Sequence, residues 1–176
     1  MQALAFWKAV AMDRSNFLEA LISLLAEHRI RYCVIGGQGV NAYAEPLVSL
    51  DLDLVVAVDQ MEEVERLLAK SFQLERFPHS LDVSEPGSHL RVQIQTDPRY
   101  FDFPPRSAEQ EVLGLRLPVA AIEDVLNGKI WAAEDPERRA SKRRKDLLDI
   151  ERLIEAHPKL RSEVPAEIMA RLGLSG

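Results

Sequence analysis

The sequence contains little cysteine and few aromatic residues. One of its 176 residues is cysteine, and 6% are aromatic. Because the lone Cys33 has no cysteine partner within the chain, a disulfide-stapled scaffold is excluded and a reducing, cytoplasmic location is predicted. Cys33 lies between Tyr32 and Val34 in a short apolar run, so we expect its side chain to pack in the core.

Long apolar runs are also missing. No stretch approaches the roughly 20 apolar residues that a membrane-spanning helix needs, and Lys8 interrupts an N-terminus that does not resemble a signal peptide. We therefore expect no membrane partner. Hydrophobic residues make up 47% of the chain and charged residues 28%, as is typical of globular domains. The length predicts one domain over residues 1–176, with a core at about 15–119 and a C-terminal helical segment at about 120–176.

Basic residues are outnumbered by acidic ones. The chain has 22 Lys and Arg against 28 Asp and Glu, a formal net charge of −6, which argues against general DNA binding. Six of the 22 basic residues nevertheless lie in the segment RRASKRRK, from Arg138 to Lys145, which contains no acid. Two interpretations of this segment remain open: a solvated helix face, or a surface that contacts phosphate or an RNA backbone.

Hydrophobic periodicity predicts an α/β (α+β) fold with a small mixed sheet flanked by helices. Ser15 and Asp59 are expected to cap the first two long helices, and residues 112–119 to form one strand with a bulge at Gly114. The stretch Pro98–Pro105 is expected to be a loop. The predicted strands are 31–35, 50–58, 72–77, 81–83, 90–96 and 112–119. The predicted helices are one after Ser15 with apolar positions at 17–25, then 38–44, 59–70, two helices between 122 and 157, and 166–172.

One group of residues, a glycine pair followed by an aspartate pair, is typical of a site that binds phosphate and a cation. The buried strand at 31–35 ends in Gly36-Gly37, and Asp51 and Asp53 follow at the start of the next strand. Glycines after a strand let the backbone approach a ligand closely, and a helix that follows them offers N–H groups to phosphate. Two aspartates that are two positions apart on a strand point the same way. Such a pair repels itself unless it shares a cation, and Mg²⁺ is commonly held by one or two carboxylates together with substrate phosphates.

These residues resemble the signature of the DNA polymerase β-like nucleotidyltransferase superfamily. The matching pattern is Ile35-Gly36-Gly37, then thirteen residues, then Asp51-Leu52-Asp53-Leu54. A second region looks like the helical part of AbiEii-type and related minimal nucleotidyltransferases. It consists of Ile122-Glu123-Asp124-Val125-Leu126, Lys129, Ser141-Lys142-Arg143, Lys145-Asp146-Leu147 and Asp149-Ile150. The similarity spans residues 32–153, about two thirds of the chain.

The resemblance implies a nucleotidyltransferase-like fold and a set of site residues. Gly36 and Gly37 would hold the phosphates of the nucleotide, and Asp51 and Asp53 would be catalytic ligands of Mg²⁺ or Mn²⁺. Ser49 stands where these families often have a threonine. Two lysines would meet the triphosphate or lock the helical segment to the sheet, namely Lys129 and Lys145.

The resemblance also implies a reaction: Mg-dependent transfer of a nucleotidyl group from an NTP to a hydroxyl group. The acceptor would be a protein side chain or an RNA end, such as that of a tRNA. The setting would be a toxin–antitoxin or phage-defence system in which the chain meets a cognate toxin or antitoxin.

The sequence departs from the superfamily pattern at its third carboxylate, which belongs on a later strand. On the strand at 90–96 the outward residues are Arg91, Gln93 and Gln95, and the nearest acid is Asp97 just beyond them. Two interpretations follow. Either the protein is an active enzyme that uses Asp97 as a catalytic residue, or it is a weak or inactive nucleotidyltransferase-fold protein that acts as a nucleotide-binding or antitoxin-like partner. A carboxylate on that strand close to Asp51 and Asp53 would distinguish them.

Overall fold

The computed structural model describes residues 2–174 of the chain. It contains seven strands: β1 Tyr32–Ile35, β2 Asp51–Val56, β3 Gln73–Phe77, β4 Ser80–Ser84, β5 Arg91–Gln95, β6 Ala108–Val112 and β7 Leu115–Val119. Its α-helices are α1 Gln2–Val10, α2 Phe17–Glu27, α3 Gly36–Asn41, α4 Met61–Ala69, α5 Ile122–Glu134, α6 Ala140–Ala156 and α7 Ala166–Arg171. None of these helices combines the length and the hydropathy needed to cross a membrane.

The strands form one mixed sheet in the order β3-β4-β5-β2-β1-β7-β6. At its centre β2 runs antiparallel to β1 and parallel to β5. The register places Asp53 between Ile35 on one side and Gln93 on the other. The predicted α/β class, with a mixed sheet flanked by helices, is confirmed.

The sheet separates two hydrophobic clusters. Along β2, Leu52 and Leu54 face the cluster that α2 and α4 cover. Val55 faces the opposite cluster, which is formed with α5, α6 and α7. Because side chains alternate along a strand, Asp51 and Asp53 share the face of Val55. The aspartate pair therefore lies on the side of the sheet that carries the C-terminal helices. Cys33 is buried in the same cluster, as expected from the sequence.

Residues 108–119 form a hairpin, so the prediction of a single strand at 112–119 with a bulge at Gly114 was wrong. β6 and β7 pair antiparallel around Leu113 and Gly114, which both have positive φ, 54° and 80°. This is the backbone of a tight two-residue hairpin turn. The non-glycine residue Leu113 concealed the turn in the sequence, because leucine rarely adopts a positive φ.

The helix starts differ from the predicted caps. At α2, the carboxylate of Asp13, not the hydroxyl of Ser15, accepts hydrogen bonds from the backbone N–H groups of Phe17 and Leu18, at 2.9 and 3.3 Å. Asp59 lies in a short 3₁₀ turn before α4 and forms an ion pair with Arg31 at 2.5 Å. Neither predicted cap forms: Asp13 caps α2 in place of Ser15, and α4 begins without a side-chain cap.

Two segments outside the predicted elements are ordered by aromatic residues. Trp7 of α1 is buried, and its indole N–H donates to the carbonyl of Ser49 at 3.2 Å. The segment after β5, predicted as a loop, contains two 3₁₀ turns that pack Tyr100 and Phe103 against Trp131 of α5. The N-terminus thus contacts the loop that precedes the aspartate pair, and α5 is fixed to the end of β5.

Candidate functional site

The aspartate pair is positioned by a close contact with the first glycine. Gly36 follows β1 with φ +66°, and a Cβ atom there would lie 2.1 Å from Oδ2 of Asp53. Only glycine combines this backbone conformation with room for the carboxylate. The structure places Gly36 against the carboxylate of Asp53, and its predicted contact with nucleotide phosphates stays a prediction. Gly37 is the glycine that lines the main cleft.

The environment of Asp53 disfavours its charge. Burial raises the pKa of Asp53 to about 6; Lys129 opposes this shift, and the nearby Asp51 adds to it. A carboxylate with a raised pKa and a like-charged neighbour is in a setting that a bound cation relieves.

Asp51 already contacts cations of the protein. Nε of Arg91 lies 2.7 Å from Oδ1 of Asp51, and Nζ of Lys142 lies 3.9 Å from Oδ2. The Arg91 side chain is 70% exposed, and ion pairs of this kind contribute at most about 1 kcal/mol. The Arg91 contact is therefore weak enough to give way when another cation approaches Asp51.

A cleft of about 650 Å³ opens between the sheet and α6. Its sheet wall is acidic, its helix wall is basic, and the loop before β2 forms its rim. The lining includes the predicted residues Gly37, Ser49, Asp51, Asp53, Lys129 and Lys145. The hydroxyl of Ser49 accepts a hydrogen bond from the backbone N–H of Asp51 at 3.3 Å, so it steadies the start of β2.

The two predicted lysines differ in their surroundings. Lys129 is buried, and its Nζ lies 3.1 Å from Asp146 and 2.7 Å from Asp149, both on α6. Burial lowers the pKa of Lys129, but Asp149 and Asp146 outweigh this effect and the net pKa is raised. These contacts lock α5 to α6, which differs from the predicted lock between the helical segment and the sheet. Lys145 is exposed and lines the cleft, and no salt bridge within residues 2–174 neutralises it.

Asp97 lies apart from the aspartate pair. In the parallel register of β5 and β2, Gln95 already pairs with Val55, and Asp97 follows two residues later. Its carboxylate accepts from the backbone N–H of Arg99 at 3.0 Å and forms an ion pair with the side chain at 2.8 Å. The side-chain hydrogen bond from Arg99 lowers the pKa of Asp97. The structure therefore engages Asp97 with Arg99 and does not bring it to Asp51 and Asp53.

The position beside Asp53 on β5 is held by Gln93. The same row of the sheet continues to Asp82 on β4 and Glu75 on β3, and all three side chains line the cleft. The sequence patterns did not indicate Asp82 or Glu75 as site residues, because each lies on a short strand whose place in the sheet only the topology reveals. No carboxylate on β5 lies close to the pair.

The donor set fits one divalent cation with substrate ligands. Within residues 2–174, no group of three or more His, Cys, Asp or Glu side chains is arranged to hold a metal ion. Two carboxylates on one strand face nevertheless suit Mg²⁺, which usually keeps waters and shares substrate phosphates.

A scan against protein-family models and a search of curated proteins found no match to this chain. Solved structures do match. The lincosamide antibiotic adenylyltransferase LnuA aligns over 77% of this chain and 95% of its own, with a TM-score of 0.54 and 13% identity. ANT(2″)-Ia in complex with adenylyl-2″-tobramycin aligns over 84% and 97%, with a TM-score of 0.53 and 13% identity.

An antigenic nucleotidyltransferase-like protein from Paracoccidioides brasiliensis aligns over 85% of this chain and 75% of its own, with a TM-score of 0.51 and 18% identity. These likenesses confirm the nucleotidyltransferase-like fold expected from the sequence, and membership of the superfamily stays a prediction. The assignment to the AbiEii-type branch stays a prediction. The shared architecture establishes that the chain has the nucleotidyltransferase fold.

Proposed function

We propose that this protein transfers a nucleotidyl group from an NTP to a hydroxyl acceptor in a reaction that requires Mg²⁺ or Mn²⁺. The observation that carries the proposal is the placement of Asp51 and Asp53 on one face of β2, across a cleft from the basic face of α6. A nucleoside triphosphate with its cation needs both surfaces, because the cation binds carboxylates while the phosphates bind lysine and arginine.

Each residue has a definite role in the proposed reaction. Asp51 and Asp53 ligate the cation, and Gly36 leaves room for the carboxylate of Asp53. When bound, Mg²⁺ would polarise the phosphoryl oxygens and neutralise charge on the leaving pyrophosphate. Gly37 leaves the cleft floor open to the phosphates, and Ser49 holds the start of β2. Lys145, exposed on the helix wall, pairs with the triphosphate, and Lys129 holds α5 against α6.

The chemical change is a substitution at the α-phosphorus. The acceptor oxygen forms a bond to the α-phosphorus while the bond to the β-phosphate breaks, and pyrophosphate leaves with the electron pair. The hydroxyl proton passes to solvent water. Fixing the triphosphate between two walls of a cleft lowers the entropic part of the barrier.

The proposed acceptor is a protein side chain or an RNA end, such as that of a tRNA. The similarity of residues 122–150 to AbiEii-type proteins supports a setting in a toxin–antitoxin or phage-defence pair. LnuA was solved with lincomycin bound and ANT(2″)-Ia with adenylylated tobramycin. The assay therefore also includes small hydroxylated acceptors.

A second candidate function is nucleotide binding with little turnover, as in a sensor or an antitoxin-like partner. The observation that favours it is Gln93, which replaces the expected third carboxylate beside Asp53. A neutral amide does not take a proton from an acceptor hydroxyl. The two functions share the same site and differ only in whether the nucleotidyl group is transferred from the NTP to an acceptor.

The test incubates the protein with each α-labelled NTP, Mg²⁺ or Mn²⁺, and RNA, protein and small-molecule acceptors. Label transfer that is lost in Asp51→Asn and Asp53→Asn supports the enzyme. The matched control is Asp59→Asn, because Asp59 is an exposed aspartate paired with Arg31 and does not line the cleft. Metal-dependent NTP binding without label transfer supports the second function, and the absence of both contradicts the proposal.

A further inference from the structure

Gln93 occupies the place beside Asp53 and is itself held from the far side. Its amide nitrogen Nε2 donates to Oγ of Ser80 at 3.2 Å and to Oδ1 of Asp82 at 3.1 Å. Both acceptors are on β4, whereas Asp53 is on β2, on the opposite side of β5. The hydrogen bonds therefore pull one end of the amide away from the aspartate pair.

The chemistry of Asp82 determines which end that is. An ionised carboxylate has only acceptor atoms, so the amide group that faces Asp82 must be the NH₂. The carbonyl oxygen Oε1 is then left on the side away from Asp82. Gln93 is exposed and lines the cleft with Asp51 and Asp53, so this oxygen is available to a ligand there.

We propose that Oε1 of Gln93 is a third, uncharged oxygen ligand for the cation held by Asp51 and Asp53, and that Asp82 and Ser80 are the positioning residues that orient it. This inference rests on the proposed function, since it assumes the cation site on β2. Amide oxygens are established ligands of hard divalent cations. Partners that orient a ligating side chain commonly contribute tenfold or more to metal affinity.

Asp53, Gln93 and Asp82 form a row across three neighbouring strands, and in this proposal each contributes to the cation site directly or through its neighbour. Neighbouring strands lie about 4.8 Å apart, so Gln93 is one strand from Asp53 and Asp82 is two strands away, at about 10 Å. At that separation Asp82 reaches the cation only through Gln93. Because the amide of Gln93 does not accept a proton, it is consistent with a reaction in which the proton of the acceptor hydroxyl passes to water.

The first experiment measures the affinity of the metal-free protein for Mn²⁺ by electron paramagnetic resonance. Gln93→Leu is expected to weaken binding about tenfold, and Gln93→Glu to strengthen it about tenfold, because a carboxylate then replaces the amide. Gln73→Leu is the matched control, since Gln73 is an exposed strand glutamine that does not line the cleft. Its affinity should equal that of the wild type.

A double-mutant cycle tests the role of Asp82. Asp82→Ala should weaken Mn²⁺ binding several-fold when Gln93 is present and have a much smaller effect when Gln93→Leu is already in place. Equal effects in both backgrounds would mean that Asp82 acts as a distant charge, and would overturn its positioning role. Unchanged binding in Gln93→Leu would overturn the inference and leave the proposed function standing. No Mn²⁺ binding by the wild type, with or without NTP, would contradict both.

Discussion

Replacing Asp53 by asparagine should stabilise the metal-free protein, although the change removes a proposed catalytic residue. In the folded protein, burial raises the pKa of Asp53 from 3.8 to about 6. The folded state therefore binds this proton more tightly than the unfolded state does. Stability from Asp53 is fully present below pH 3.8 and is lost as the pH rises through about 6. Asparagine resembles the protonated carboxyl and does not lose its proton.

The size of the effect follows from the shift. At 1.36 kcal/mol per pKa unit, moving from 3.8 to about 6 costs the ionised form about 3 kcal/mol. The advantage of Asp53→Asn should grow from about 1 kcal/mol at pH 4.5 to about 3 kcal/mol at pH 7.5. Compared with a typical total stability of 5–15 kcal/mol, this is a large change.

The assay is urea unfolding of both proteins in the presence of a metal chelator, at several pH values between 4.5 and 7.5. All other titrating groups are common to the two proteins, so the difference isolates Asp53. Adding Mg²⁺ should stabilise the wild type and leave the variant nearly unchanged. A variant that is no more stable than the wild type at pH 7.5, or an advantage that does not grow with pH, would refute the reasoning.

Three further predictions concern neighbouring residues. Gly36→Ala places a Cβ 2.1 Å from Oδ2 of Asp53 at a φ of +66°. It should therefore lower the free energy of unfolding by more than about 1 kcal/mol and weaken Mn²⁺ binding. Thermal unfolding and Mn²⁺ titration measure these two effects. Lys129→Met removes the lysine cation that pairs with the buried carboxylate of Asp146. The free energy of unfolding, measured with urea, should fall by about 3 kcal/mol. Lys145→Gln should weaken NTP binding several-fold and reduce its salt dependence, while the melting temperature stays within about 1 °C of wild type.

Short apolar runs and apolar–polar alternation predicted most of the strands, because both patterns are local. The hairpin at residues 108–119 was not predicted, since its turn contains Leu113 at a positive φ. The helix caps were also missed: Asp13 reaches across three residues to α2, a contact that ordinary capping patterns do not describe. Capping rules based on the residue next to the helix therefore fail where a side chain from further along the chain caps it.

For the site, the sequence, through its motifs and their family resemblance, predicted six residues that line the cleft, namely Gly37, Ser49, Asp51, Asp53, Lys129 and Lys145. It did not predict which contacts each of these residues makes. Gly36 makes room for Asp53, and Lys129 is buried between two aspartates of α6. The importance of Asp82 was not visible in the sequence, because it depends on the β4–β5 pairing and on a hydrogen bond to Gln93. Contacts across strands are set by topology, which sequence spacing alone does not specify.

The most direct test of the central claim is a calorimetric titration of each NTP into the protein with Mg²⁺ and with a chelator. We expect NTP binding that depends on Mg²⁺ and is lost in the double variant Asp51→Asn/Asp53→Asn, while the control Asp59→Asn binds like the wild type. NTP binding of equal strength with and without the cation, or no binding of any NTP, would contradict the assignment of this cleft as a metal-dependent nucleotide site.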